Sequence, residues 1–271
     1  MCIRDSIRGA DAFVIQPTCP SVNENLVELL VITDALKRAS AGRITAVVPY
    51  FGYARQDKKA AGREPITARM VADIMTTVGV DRMVTVDLHS AQIQGFFGFP
   101  VDHLTAVNVL ARYMAKKKIG DLVVVSPDAG RVKLATEYAS RLNAPVVIIH
   151  KRRLGPEQPE VAHVVGEIRG MTPVIIDDMM TTGGTVDKSV CALLESGAKP
   201  EVYVMATHAV LVGRFTEVLG KPAIKEVIVT NTIPLGPEKQ LGKITVVSIG
   251  PLIAEAIRSI HTDGSVSRLF E

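Results

Sequence analysis

Residues 174–186, with the sequence VIIDDMMTTGGTV, constrain the fold and chemistry of this chain more than any other segment. The apolar start is typical of a buried strand, and a helical pattern follows the two glycines. A strand that leads through a small, hydroxyl-rich turn into a helix lets backbone N–H groups approach an anion, and the helix N-terminus adds partial positive charge. The turn at residues 181–185 therefore predicts a phosphate cradle.

Two adjacent carboxylates, Asp177 and Asp178, stand between this strand and the turn. An ionised carboxylate only accepts hydrogen bonds, so each can take a hydroxyl proton from a vicinal diol. A grip for a cis-diol beside a cradle for phosphate predicts a ribose 5-phosphate site. Taken alone, the segment leaves open an ordinary strand–turn–helix junction with solvated acids.

Composition narrows the class of protein. The chain has 271 residues, 47% of them apolar, which is enough for one or two domains with a sizeable core. The net charge of +3 is too small to indicate nucleic acid or an anionic membrane as partner. No apolar run approaches the ~20 residues of a membrane span. Cys2, Cys19 and Cys191 show neither metal-ligand nor disulfide spacing, so we expect a cytoplasmic protein.

The pattern of apolar residues predicts an α/β fold. Val- and Ile-rich runs with little alternation, separated by helical patterns, favour mainly parallel sheets flanked by helices. We divide the chain into two domains, residues 1–103 and 104–271. Two long segments, residues 51–65 and 150–166, carry no predicted element, and irregular segments of that length are usually functional loops.

Basic residues are concentrated in these two segments. Residues 50–65 read YFGYARQDKKAAGREP and place Arg55 among several cations and aromatic rings after a strand. Cations can pair with a polyphosphate, and an aromatic or guanidinium plane can stack on a base. Residues 150–153, HKRR, can stabilise charge that develops during transfer of a phosphoryl group. The alternative for both is a solvated basic loop.

Two further motifs place polar side chains at predicted strand ends. His89 lies in VDLHSAQIQGFF, residues 86–97, and Asp128 lies in VVVSPDAGRVK, residues 123–133. Mg²⁺ usually takes one or two protein ligands, such as carboxylates, together with water and substrate phosphates. Asp128 is therefore a candidate magnesium ligand, and His89 is a candidate to contact a divalent ion or a phosphate. A structural role for His89 and a helix N-cap role for Asp128 are the alternatives.

These five segments, in the order in which they follow one another along the chain, resemble the ribose-phosphate diphosphokinase family, also called phosphoribosyl diphosphate synthetases. Residues 174–186 by themselves are similar to the phosphoribosyl motif of type I phosphoribosyltransferases. The resemblance extends from about Ile7 to Phe270. It implies two phosphoribosyltransferase-like domains. It also implies transfer of the diphosphoryl group of MgATP to the C1 hydroxyl of ribose 5-phosphate, with AMP leaving.

The resemblance also assigns roles to residues of this sequence. It implies that Arg55 and Gln56 bind ATP, that His89 and Asp128 hold Mg²⁺, and that Lys151 is catalytic.

The remaining implied roles concern the sugar phosphate. Arg153 would bind substrate and steady the transferring group, and Asp177 and Asp178 would hold the ribose hydroxyls. Five residues would enclose the 5-phosphate: Thr181, Thr182, Gly183, Gly184 and Thr185.

The last expectations concern oligomeric assembly and the positions at which this sequence differs from the family pattern. The resemblance implies a homo-oligomer, commonly a hexamer, with phosphate and ADP as regulators. Family members usually carry residues before the segment that matches residues 7–16, so part of the first domain is expected to be lacking. Thr181 replaces a more usual Asp, and Arg131 stands where a glycine is common.

Two other functions remain open at this point. A non-catalytic regulatory relative would explain the shortened front of the chain. A nucleobase phosphoribosyltransferase would need only the cradle and the paired acids, and would leave the loop at residues 50–65 without a role.

Overall fold

The structure is a computed structural model that describes residues 6–152 and 161–269. The chain divides into two compact units, Met1–Thr105 with Gly250–Glu271 and Ala106–Ile249. In each unit a mainly parallel sheet is flanked by helices, which confirms the predicted α/β fold. Among the described residues, no helix is both long and apolar enough to span a membrane.

The first unit contains a four-stranded sheet in which every pair is parallel, in the order β1-β2-β3-β4. Its elements are β1 (Asp11–Ile15), α1 (Val22–Arg38), β2 (Arg43–Val48), α2 (Thr67–Val78), β3 (Arg82–Val86), β4 (Val101–Leu104) and, at the end of the chain, α7 (Gly250–His261).

The core of this unit follows from the apolar pattern. Strand β2 is buried almost along its whole length, as expected of a parallel strand with both faces covered. Helix α2 buries Val71 and Met75 on one face and ends at Gly79, whose φ of 107° is a left-handed conformation that glycine adopts without strain. Residues 51–65 between β2 and α2 form turns without a helix or strand, as predicted.

The end of the chain packs with the first unit, which corrects the sequence-based assignment of residues 104–271 to one domain. Arg43 of β2 donates hydrogen bonds to Asp11 of β1 and to the carbonyl oxygen of Ile260 in α7. His261, at the end of α7, contacts the same Asp11 carboxylate at 3.0 Å. A linear reading of the sequence misses this arrangement because the contacts join positions more than 200 residues apart.

The second unit contains a seven-stranded sheet in the order β11-β10-β9-β8-β5-β6-β7, with only the β6–β7 pair antiparallel. Its elements are α3 (Val107–Ala115), β5 (Leu122–Ser126), α4 (Val132–Leu142), β6 (Val146–Arg152), β7 (Val161–Val165), β8 (Thr172–Met180), α5 (Gly184–Glu195), β9 (Val202–Ala209), α6 (Phe215–Leu219), β10 (Ile224–Thr230) and β11 (Ile244–Val247).

The prediction that residues 150–166 form an irregular segment is partly wrong. Strand β6 continues through Arg152, and β7 pairs with it so that Lys151 stands opposite Ala162. The cationic run HKRR hides this strand from a hydrophobicity pattern, because strands are usually recognised by apolar or alternating residues. Residues 153–160 lie outside the described part of the chain.

A half-buried ion-pair network joins three elements of the second unit. Glu226 of β10 pairs with Lys117 and accepts hydrogen bonds from Tyr113, 2.7 Å away, and Thr245, 2.8 Å away. Burial by itself would raise the pKa of Glu226, but these three hydrogen bonds outweigh it and hold the pKa below its ordinary value. The network therefore stabilises the fold only while Glu226 is ionised.

We expect Glu226→Gln to lower the free energy of unfolding by about 1–3 kcal/mol at neutral pH, since hydrogen bonds to a charged group are lost. Because the pKa of Glu226 is lower in the folded than in the unfolded protein, its ionised form stabilises the fold above the unfolded pKa of about 4.3. This stabilisation disappears as the pH falls through the folded-state pKa. Thermal unfolding as a function of pH should thus show variant and wild type converging in acid. The exposed neighbour Glu201 supplies the control, Glu201→Gln, which should leave stability unchanged. A pH-independent difference would contradict the assignment.

Candidate functional site

The paired acids lie inside strand β8, because this strand continues to Met180, whereas the sequence predicts a strand that ends before the acids. Asp177 pairs in register with Ala206 of β9. The Oδ1 atom of Asp177 accepts the backbone N–H of Asp178, and Oδ1 of Asp178 accepts that of Met179, both at 2.9 Å. Each carboxylate is thus held against its own strand.

Arg131 bridges the two carboxylates. Its Nε atom lies 3.3 Å from Oδ1 of Asp177, and its Nη2 atom lies 2.8 Å from Oδ1 of Asp178. The side chains of Arg131, Asp177 and Asp178 are only 18%, 20% and 6% exposed. Sequence reasoning gave this arginine no function. The sequence signal that could have identified Arg131 as a site residue was its position just after a strand end, in the motif that carries Asp128.

Burial dominates the electrostatics of the pair. Removal from water raises the pKa of Asp177 to about 8, and the adjacent Asp178 adds to the rise, whereas the charge of Arg131 opposes it. Near neutral pH the raised pKa favours the protonated form of the Asp177 carboxyl group. A carboxyl that carries a proton can donate as well as accept, so the pair can match hydroxyl groups in either role.

The predicted phosphate cradle is a tight turn between β8 and α5. Gly183 has a φ of 79° and precedes α5, and a Cβ at this position would lie 3.1 Å from Cβ of Val218. The backbone N–H of Val212 donates to the carbonyl oxygen of Thr181 at 3.0 Å and so braces the turn. Thr182 and Gly184 are exposed.

The start of α5 gives this turn its capacity to bind an anion. The first backbone amides of a helix have no partner within the helix and carry its partial positive charge. In α5, the N–H of Asp187 donates to the carbonyl oxygen of Gly183, whereas the N–H of Gly184 donates to the Oγ1 atom of Thr182 at 3.5 Å. Thr185 lies in this first turn and is half-buried.

Asp128 lies at the end of β5, the strand next to β8. Its Oδ1 atom accepts the backbone N–H of Arg131 at 3.1 Å, so the N-cap interpretation holds for this residue. Among the described residues, this is the one hydrogen bond that the Asp128 carboxylate makes, and a carboxylate has lone pairs for further ligands. The Asp128 carboxylate can therefore cap the helix and still accept a metal ion as a further ligand.

Lys151 lies at the same edge of the sheet as Asp128. Strand β6 is parallel to β5, with Ile148 opposite Ser126, and Lys151 comes three residues later. The strand order β6-β5-β8 therefore places the Lys151 backbone, Asp128 and Asp177 at the carboxyl ends of three neighbouring strands. Ligands of open α/β sheets bind at this edge. Arg153 lies outside the described residues.

The predicted residues of the first unit follow the carboxyl ends of its own strands. Arg55 and Gln56 are exposed in the turns after β2, and the carbonyl oxygen of Gln56 accepts the N–H of Ala68 in α2. His89 is half-buried after β3. The turn that carries it is braced by His103, whose Nε2 atom accepts the N–H of Leu88 at 2.7 Å.

Comparison with protein families gives two matches to this chain. The N-terminal domain of ribose phosphate pyrophosphokinase matches residues 1–79, and the phosphoribosyl synthetase-associated domain matches residues 152–271. Together they span more than half of the sequence.

Individual relatives agree with these matches. Ribose-phosphate pyrophosphokinases from Clostridium tetani and Bacillus subtilis are 52% and 50% identical to the chain over 99% of its length, which covers 85% and 84% of theirs. The crystal structure of a phosphoribosylpyrophosphate synthetase from Mycobacterium smegmatis superposes with a TM-score of 0.91 at 47% identity, over 97% of this chain and 86% of that one. The chain belongs to the ribose-phosphate pyrophosphokinase family.

Proposed function

We propose that this protein transfers the diphosphoryl group of ATP to the C1 hydroxyl of ribose 5-phosphate, giving 5-phosphoribosyl 1-diphosphate and AMP for nucleotide biosynthesis. The carrying observation is the identity of about half of all residues to ribose-phosphate pyrophosphokinases along nearly the whole chain. In the reaction the C1 oxygen attacks the β-phosphorus of ATP, the bond between the α,β-bridging oxygen and that phosphorus breaks, and the hydroxyl proton is released.

The sugar phosphate would bind at the end of β8. The first-turn amides of α5 and the hydroxyl groups of Thr181, Thr182 and Thr185 suit the 5-phosphate, since they combine donors with the helix charge. The carboxyl groups of Asp177 and Asp178 suit the ribose hydroxyls. Positioning of this kind matters because phosphoryl transfer depends on alignment and charge stabilisation more than on covalent catalysis.

The cationic groups would act on the diphosphoryl group. Lys151 stands on β6 at the carboxyl edge of the sheet, so its ammonium group is proposed to stabilise charge on the transferring group. Arg153 would accompany it. Arg55 and Gln56, exposed after β2, are proposed to bind ATP.

Asp128 of the second unit and His89 of the first unit are each proposed as a magnesium ligand. The carboxylate of Asp128 fits, because its one hydrogen bond leaves acceptor capacity for a hard cation. Within residues 6–152 and 161–269 there is no group of three or more His, Cys, Asp or Glu side chains able to hold a metal. A few protein ligands suffice for Mg²⁺, which takes water and substrate phosphates as well. When bound, it would neutralise phosphate charge.

Assembly, regulation and location are carried over as proposals. Family resemblance motivates a homo-oligomer, commonly a hexamer, with phosphate as activator and ADP as inhibitor. The cytoplasmic location inferred from cysteine usage remains a prediction.

The first experiment measures AMP release from MgATP with and without ribose 5-phosphate in phosphate buffer. The proposed function requires AMP release that depends on ribose 5-phosphate. A folded protein that releases no AMP alone but assembles with a complete relative would be a regulatory copy. Nucleotide formation from a free base and 5-phosphoribosyl 1-diphosphate would indicate a nucleobase phosphoribosyltransferase.

Lys151→Ala should lower kcat by about 10²–10³-fold, the usual effect of removing a group that stabilises transition-state charge. The matched control is Lys199→Ala, because Lys199 pairs with Asp121, which precedes β5 at the amino end of the sheet. This control should keep wild-type kcat. Unchanged turnover of the Lys151 variant would exclude the catalytic assignment.

Gly183→Ala should destabilise the fold by about 1–3 kcal/mol, since the residue has a positive φ and its Cβ would press on the side chain of Val218. The KM for ribose 5-phosphate should rise as the cradle distorts. Gly184→Ala is the control for stability: its φ is helical and its Cβ would lie 3.7 Å from Oγ1 of Thr182. Equal melting temperatures for the two variants would contradict this account.

Asp177→Asn tests the raised pKa. The folded protein keeps the Asp177 proton up to about pH 8, whereas an exposed Asp loses it near pH 4, so wild-type stability falls as the pH rises between these values. The variant lacks this titration. We therefore expect its melting temperature, relative to wild type, to be several degrees higher at about pH 9 than at about pH 5. A difference that is the same at both pH values would show that burial does not raise this pKa.

A further inference from the structure

Arg131 is the charged residue of the β8 site to which the reaction assigns no role. Its guanidinium group contacts both acids through two different nitrogen atoms, at 3.3 Å and 2.8 Å. Both contacts reach Oδ1 atoms, and the same two atoms accept the backbone N–H groups of Asp178 and Met179. Each Oδ1 atom therefore accepts a main-chain N–H and pairs with a guanidinium nitrogen, and these contacts orient both carboxyl groups.

The fold explains how this residue reaches the acids. Strands β5 and β8 are neighbours, with Val125 opposite Ile175, so the turn after β5 lies beside the end of β8. A short 3-10 helix, Ala129–Arg131, leads from Asp128 into α4. At Arg131 φ is −101°, a value open to any residue. The backbone therefore does not require glycine at this position, and the side chain is available for another purpose.

The positive charge of the Arg131 side chain explains this purpose. Two adjacent acids taken out of water repel each other unless a cation or a proton compensates them. A planar guanidinium group bridges two carboxyl groups in a fixed geometry, which a flexible ammonium group does not. Arg131 thus keeps the pair compensated and oriented before any ligand arrives, and such pre-organisation lowers the cost of binding.

Resting on the proposed function, we propose that Arg131 is a positioning residue for ribose 5-phosphate: it acts through Asp177 and Asp178 and presents them to the vicinal hydroxyls of the sugar. The opposite arrangement, in which the guanidinium group occupies the place of the diol and competes with it, predicts tighter sugar binding when the arginine is removed. The sign of the change in KM separates the two.

The experiment compares Arg131→Met and Arg131→Lys with wild type in the AMP-release assay. We expect Arg131→Met to raise the KM for ribose 5-phosphate about tenfold or more, to change the KM for ATP less than about twofold, and to change kcat less than the KM for the sugar. Arg131→Lys should lie between Arg131→Met and wild type, because it restores charge without the planar fork. A sugar KM that is unchanged or lower would overturn the proposal.

Arg141→Met is the matched control, since Arg141 lies in α4, pairs with Glu137 and also contacts Asn108. It should leave both KM values unchanged. If Arg131→Met does not fold, Arg131→Lys decides by itself: a KM for ribose 5-phosphate above the wild-type value supports the proposal, and an unchanged or lower KM overturns it.

A double variant tests whether Arg131 acts through the acids. The increase in sugar KM caused by Asp177→Asn and Arg131→Met together should be smaller than the product of the single increases, because both remove one coupled unit. Independent, multiplicative effects would overturn the proposal. Wild-type protein without ribose-5-phosphate-dependent AMP release would instead refute the proposed function, so the two failures are distinguishable.

Discussion

Parallel pairing of β5 with β8 is the constraint on which the site depends. Parallel strands end at the same edge of a sheet, so the segments that follow them meet there. This pairing brings Arg131 and Asp128, which follow β5, beside the acids of β8, although almost fifty residues separate Arg131 from Asp178. The pairing of β6 with β5 adds the backbone of Lys151 to the same edge. The chemistry of the site is thus assembled by strand order.

The two halves of the β8 site rely on different physical effects. The turn at Gly183 offers backbone donors and a helix terminus, so the proposed binding of an anion would depend on main-chain geometry and on a residue that tolerates positive φ. The paired acids rely on side-chain charge in a region largely removed from water. Burial there raises the pKa of Asp177, and the guanidinium group of Arg131 limits the rise.

Much of the fold and of the candidate site could be predicted from the sequence. The strand–turn–helix around residues 174–186 is local, so its apolar run, acids and glycines predict both the elements and the anion cradle. The irregular basic segment after β2 was recognised for the same reason. The strand character of residues 150–152 and the placement of α7 with the first unit were not predicted, since both depend on partners distant in sequence.

By itself, then, the sequence determined the α/β class and the family and indicated the candidate site segments, because each depends on contiguous runs of residues. Only the tertiary structure decided which side chains meet. Arg131 looked like a replacement for glycine in a helix-opening turn, and its contacts with Asp177 and Asp178 became visible once β5 lay beside β8. The perturbed pKa of Asp177 likewise follows from burial, which is a property of the packed sheet and of no single segment.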